Sequence, residues 1–153
     1  MSGISHSQVF RPSVNYQDDR AALEWLQKAC GFEPSLIVTD DGGKIVHAEM
    51  KFEGAEVMIA REWSDITRSP KSLGGKNTQQ IHVQIASDID AHCARARAAG
   101  ATIVAEPADQ FYGDRTYRAL DPEGHLWTFG QQIKVLSLGE MEKASGLKLR
   151  ETL

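Results

Sequence analysis

A chain of 153 residues with 41% hydrophobic side chains is long enough for one or two compact units with a real core, and it carries no sign of large-scale disorder. Its formal net charge is −4 and its Lys and Arg are spread along the chain, so no basic stripe is offered to nucleic acid or anionic lipid, and both are set aside as partners. The opening MSGISHSQVF has no basic region followed by an apolar one, and no apolar run is long enough to span a bilayer, which makes the cytoplasm the expected location.

Residues 1–7, including His6, read as a tail. Val14 and Tyr16 alternate with polar neighbours and predict a strand. From about Asp18 to Cys30 the pattern turns helical, with Leu23, Leu26 and Cys30 on one face and Gly31 as a C-terminal stop. SLIVTD, IVHAEMKF and EVMIARE then predict three strands. The stretch REWSDITRSPKSLGGKNTQQ is a polar linker, with Trp63 near its start as a lid or a dimer contact. Beyond it come a strand IHVQIA, a helix from about Ile89 to Ala99, and strands ATIVAEP, RTYRALD and HLWTFGQ. The tail SLGEMEKASGLKLRETL, with Met141, Leu147 and Leu149, is expected either to dock on a partner as a helix or to be frayed. Cys30 and Cys93 fall in the two helices without metal-type spacing and are expected to be buried free thiols.

The two halves repeat. The helices end in Ala-Cys-Gly at Gly31 and Ala-Ala-Gly at Gly100, an offset of 100 − 31 = 69. FEG from Phe52 is echoed by PEG from Pro122, an offset of 122 − 52 = 70, and each is followed by a short apolar strand. The expected fold is therefore α+β, two βαβββ modules at residues 8–62 and 79–132 within one domain, 8–132, followed by the tail 133–153.

The paired helices, HAEM from His47, and above all GDRTYRALDPEGHLWTFGQ resemble the vicinal oxygen chelate superfamily of glyoxalases, bleomycin-resistance proteins and extradiol dioxygenases. The resemblance implies that each module curls into half of a cup, that the halves face each other, and that ligand and often a divalent metal lie inside. It also implies metal ligands on the first and last strands of each module. His82 matches the first-strand position if the loop before Asp88 carries one extra residue; a gapless count puts Ile81 there. In the first module the repeat maps His82 to Ser13 and Gln84 to Asn15, whereas counting back from the helix gives Arg11. The last-strand Glu of the metal enzymes is replaced by Thr128, and by Met58 in the first module. A Met and a Thr cannot stand in for two anionic oxygens, so no metal is expected, and the alternative is a rearranged divalent site using His82 and Glu56.

DPEG suits a type I turn with Gly124 left-handed and a bulge. That register sets Arg118 across from Thr128. It turns Thr116, Arg118, Leu120, Leu126 and Thr128 into the cup and Tyr117, Trp127 and Phe129 under the helices. A two-residue turn would set Tyr117 across from Thr128 instead. An inward Arg118 needs an anion, either a ligand carboxylate or phosphate or an internal partner, Glu56 or Asp114. Arg115 is expected to pair with Asp114 at the cup mouth, close to ligand. His47 reads as a hydrogen-bonded sheet histidine beside cup-facing Val46 and Ala48, while His92 and His125 read as solvated. The ligand-binding set is thus His82, Gln84, Arg118, Thr128, Met58, Asn15 and Arg115.

Two functions fit. One is a metal-free cup that binds a small, anionic organic molecule, like the bleomycin-resistance branch. The other is a divalent-metal lyase, isomerase or dioxygenase. A third, metal-free acid–base catalysis by His82 with Arg118, rests on the fold alone. Uncovered sheet edges, and the pairing common among relatives, predict a homodimer.

Overall fold

The computed structural model describes residues 8–153, so the expected tail 1–7 lies outside the described residues. The first module comprises β1 (Ser13–Tyr16), α1 (Asp19–Cys30), β2 (Glu33–Thr39), β3 (Ile45–Phe52) and β4 (Ala55–Arg61). The second comprises β5 (Ile81–Gln84), α2 (Ile89–Ala98), β6 (Thr102–Asp109), β7 (Asp114–Leu120) and β8 (Leu126–Gln132), and α3 (Leu138–Ser145) follows. The strand orders β1-β4-β3-β2 and β5-β8-β7-β6 are the same permutation, and each first strand runs parallel to the last strand of its module.

Local chemistry sets the boundaries. The Asp18 and Asp88 side chains accept from the Ala21 and Ala91 N–H groups and satisfy orphan donors at the starts of α1 and α2. Gly31 ends α1 at φ 76°, a conformation that costs glycine no Cβ clash. The hairpin register is the one the bulged turn predicts: Arg118 lies opposite Thr128, Gly124 has φ 87°, and the Asp121 N–H donates to the His125 carbonyl.

Tyr117, Trp127 and Phe129 are buried under the helices as the alternation requires, each contributing on the order of 2–3 kcal/mol of apolar burial. They belong to one core that also takes in Val14, Tyr16, Leu23, Leu26, Phe32, Met50 and Ile59 from the first module. Phe32 meets Trp127 edge-on at 5.7 Å between ring centroids, and α1 packs against α2.

The modules also clasp each other through their hairpin tips. Glu123, at the second tip, accepts from the Gln17 and Asp18 N–H groups at the start of α1. Glu53, at the first, accepts from Ala86 N–H ahead of α2. The repeat seen in the sequence is thus a two-way exchange of acidic turn residues.

Four expectations are corrected. The two cup halves do not face each other within one chain: no strand of one sheet packs on a strand of the other. The modules join through their helix-side faces, where the apolar residues are, and the opposite faces stay open. His92 is not solvated. It lies between the modules, bonded to the Tyr117 hydroxyl at 2.7 Å and the Cys30 carbonyl at 3.0 Å. His125 is likewise held, with Nε2 2.7 Å from the Asn15 carbonyl. A cup-facing Val46 and Ala48 are replaced by His47 and Glu49, because Ala48 and Met50 pair with Ile59 and Val57 on the helix side.

The tail does form a helix, started by a Ser137–Glu140 capping box and ended by Gly146, but α3 buries no residue and packs on no other element. Both cysteines are free and buried.

Candidate functional site: two open sheet faces

On the second sheet, the parallel ladder puts His82 beside Thr128 and Gln84 beside Gly130, and the β7–β8 hairpin adds Thr116 and Arg118 to the same face. The count that places His82, rather than Ile81, on this face is therefore the structural one. His82 Nε2 lies 3.0 Å from Gln84 Oε1, and Gln84 Nε2 donates to Asp114 at 3.1 Å. Gly130 leaves the space this needs, since a Cβ there would stand 2.8 Å from His82 Nε2.

Arg118 is exposed on this face and has no hydrogen-bond or ion-pair partner among the described residues. Of the two internal anions considered for it, Asp114 is engaged with Gln84, and Glu56 sits on the other sheet with Arg11. Arg115 points the other way. It does not pair with Asp114; it forks onto Asp90 of α2 and also holds Asp109, each at 2.9 Å, because its odd position in β7 faces the helix. These aspartates raise the Arg115 pKa and keep it charged.

The first sheet carries the rest of the expected set. Ser13 lies beside Met58, and Asn15 beside Ala60. Neither meets the His82 and Arg118 face, so the sequence-derived set is split between two surfaces. At the centre of the first face is a carboxylate not expected to be there. Glu49 is only 4% exposed, and it is clamped between Arg11 Nη2 at 2.7 Å and His47 Nε2 at 2.8 Å. Burial alone pushes the Glu49 pKa up, but the bonds from His47 and Arg11 outweigh it and hold the carboxyl below its ordinary range. The alternation in H-A-E-M carried this signal: with Ala48 and Met50 on the helix side, His47 and Glu49 must share the other face.

A divalent metal does not fit the positions that the sequence resemblance implies for it. Those positions hold Ser13 and Met58 on one sheet and His82 and Thr128 on the other, and among the described residues no three His, Cys, Asp or Glu side chains gather at one point. Glu56 and His82 both border a cleft of about 440 Å³ between the first hairpin tip and β5, floored by Phe32, Met50 and Trp127. They sit on opposite sides of it, and Glu56 is already bonded to Arg11 at 3.4 Å.

The family model described as the Glyoxalase/Bleomycin resistance protein/Dioxygenase superfamily matches residues 4–129. The chain belongs to this superfamily. An uncharacterized protein of Mycobacterium tuberculosis (strain ATCC 25618 / H37Rv) is 32% identical over 145 residues, covering 92% of this chain and 84% of its own. Among solved structures of the superfamily fold, TioX from Micromonospora sp. ML1 is 35% identical with a TM-score of 0.67, covering 82% of this chain and 99% of TioX. TnmS3, described as an antibiotic binding protein from Streptomyces sp. CB03234, has a TM-score of 0.62 at 22% identity, covering 86% of this chain and 99% of TnmS3. No helix among the described residues is long and apolar enough to cross a membrane.

Proposed function

We propose that this superfamily member binds a small anionic organic molecule on its open sheet faces, without a metal ion and without catalysing a reaction. The observation that carries this reading is Arg118. Of the three arginines in strands, Arg61 is held by Asp19 and Arg115 by Asp90 and Asp109, whereas Arg118 has no partner among the described residues. A guanidinium beside His82, Gln84 and Thr128 offers a fork of donors to a carboxylate or phosphate. Binding needs no reactive group on that face, which suits the loss of both carboxylates at Met58 and Thr128. The description of TnmS3 as an antibiotic binding protein supports the same class of activity.

The ligand site is completed by a second copy of the chain. One open face presents Arg118 and the other the Glu49 array, and in one chain they never oppose each other. Val38, Val104 and Val135 also leave apolar surface uncovered. In a homodimer the first sheet of one copy faces the second sheet of the other and encloses a cup.

Thermal-shift screening against aromatic carboxylates tests the anion reading. Hits are expected to be lost in Arg118→Ala, which melts near wild type because it breaks no bond in the described structure. Hits that survive that change refute it. Elemental analysis of protein purified without chelator is expected to show no stoichiometric metal. A metal held one per chain and lost in His82→Ala would favour the metal-enzyme alternative. Sedimentation is expected to give a dimer.

A further inference from the structure

The Arg11–Glu49–His47 array has no counterpart in the second module. Glu49 pairs with Met58 across β3–β4 as Arg118 pairs with Thr128 across β7–β8, so Arg118 is the equivalent of Glu49, and Thr116 that of His47. The same βαβββ unit, built twice in one chain, stands once without these ionised groups. The fold therefore does not require them. Taking a carboxylate out of water is expensive, and pairing repays it only in part. A buried charged cluster that its own repeat dispenses with is a candidate for binding work.

The geometry is that of an oriented proton acceptor. Glu49 Oε1 can only accept, so His47 Nε2–H donates to it at 2.8 Å, in the tautomer that leaves Nδ1 as the ring's acceptor, and Nδ1 has no partner among the described residues. The His47 side chain is 38% exposed on the open face. Arg11 grips the other oxygen of Glu49 and keeps the carboxylate ionised behind the ring. Beside this polar centre is an apolar strip. Val38 lies opposite His47 in the β2–β3 ladder and is 39% exposed, Leu36 lies opposite Glu49, and Met58 is on its other side. The remaining charged groups on this face are Lys51 on β3, Glu33 opposite it on β2 and ion-paired to it at 3.7 Å, and Glu56 on β4.

We propose that His47, backed by Glu49, accepts the proton of a weakly acidic hydroxyl on a ring-shaped ligand, a phenol or an enol, whose ring lies on Val38, Leu36 and Met58. The O–H proton passes to His47 Nδ1, the imidazolium is stabilised by Glu49, and the ligand stays bound as its oxyanion paired to the ring; no covalent bond to the protein forms. His47 is the binding residue and Glu49 its positioning residue. This names a ligand class and deepens the small-molecule reading on which it rests.

The test uses 4-nitrophenol, whose phenolate is coloured, added to the full chain in buffer below the pKa of the free phenol. A saturable phenolate band at one per chain is expected, with the His47 ring resonances moving to those of an imidazolium. His47→Gln, a half-exposed site that is expected to fold, should abolish the band. Glu49→Gln should lower the phenolate fraction about tenfold, the effect of removing one charge-assisted hydrogen bond from one side of a proton transfer. If Glu49→Gln does not fold, Arg11→Lys, which keeps the charge but loses the 2.7 Å contact of Nη2 with Glu49, should shift the same fraction in the same direction. No band at saturating phenol, or a band unchanged in His47→Gln, overturns the proposal. Arg118→Ala separates the two readings. A band that survives it supports the His47 site whatever becomes of the anion reading, and thermal-shift hits lost only in Arg118→Ala leave that reading standing if His47 fails.

Discussion

Tyr16→Phe probes how the two modules are joined. The Tyr16 hydroxyl, buried in the first module, donates at 2.7 Å to Asp121 at the second module's hairpin. Burial, and then the Asp121 carboxylate, push its pKa well above the ordinary tyrosine value, so it remains a donor at any working pH. Asp121 also accepts from Trp127 Nε1 at 3.1 Å and from the Glu123 and His125 N–H groups at 3.0 Å each. A hydrogen bond to a charged group contributes about 1.5–3 kcal/mol. Three donors remain on the carboxylate after the change, so Tyr16→Phe is expected at about 2 kcal/mol, a fall of roughly 4–8 °C in Tm for a chain of this size. Asp121→Ala strands the buried Tyr16 and Trp127 donors as well as two backbone N–H groups and is expected to cost about 4 kcal/mol. Urea unfolding of both variants and the double mutant measures this, with an unchanged m-value as the sign of one cooperative unit. A loss below about 0.5 kcal/mol for Tyr16→Phe, or additive single losses, would refute the bridge between modules.

The pH dependence of stability should carry the mark of His92. Burial lowers its pKa below the ordinary 6.5, so the folded state favours the neutral ring and unfolding takes up a proton. Its contribution is present above pH 6.5 and is lost as the pH falls through the lowered folded value; chemical denaturation across that range should show the slope, and His92→Gln should flatten it. Gly113→Ala should cost about 3 kcal/mol or more by thermal melting, because a left-handed φ of 94° and a Cβ driven against the Lys134 carbonyl both oppose it. Burial raises the pKa of Cys30 and Cys93, so neither thiol should react with a disulfide reagent at neutral pH until the chain unfolds, whereas rapid native-state labelling would contradict their placement.

Much of the fold was legible because it rests on local chemistry repeated twice. Alternation, the glycine stops and the offset of 69 to 70 located both modules and all eight strands. DPEG, which gives Pro122 its favoured turn position, together with the burial of Tyr117, Trp127 and Phe129 under the helices, favoured the register that sets Arg118 against Thr128 over a two-residue turn. The site was less legible. The pairing of Arg115 with Asp90 depends on how α2 lies over β7, which no local pattern encodes, and the burial of His92 depends on Cys30 of the other module. Glu49 was within reach of the alternation in HAEM, but a charged residue in a strand reads as solvated until a partner from a distant segment, here Arg11, is brought to it.

The sequence by itself determined the two βαβββ units and their helix-side cores, because periods of 2 and 3.6 residues and turn chemistry act within one unit. Only the tertiary structure decided which faces the modules share. The apolar helix-side faces merge, through Phe32 on Trp127 and Tyr16 on Asp121, since burying them together removes the most apolar surface from water. That choice turns the sheet faces bearing His47, Glu49, His82 and Arg118 outward and splits the expected cup into two open surfaces.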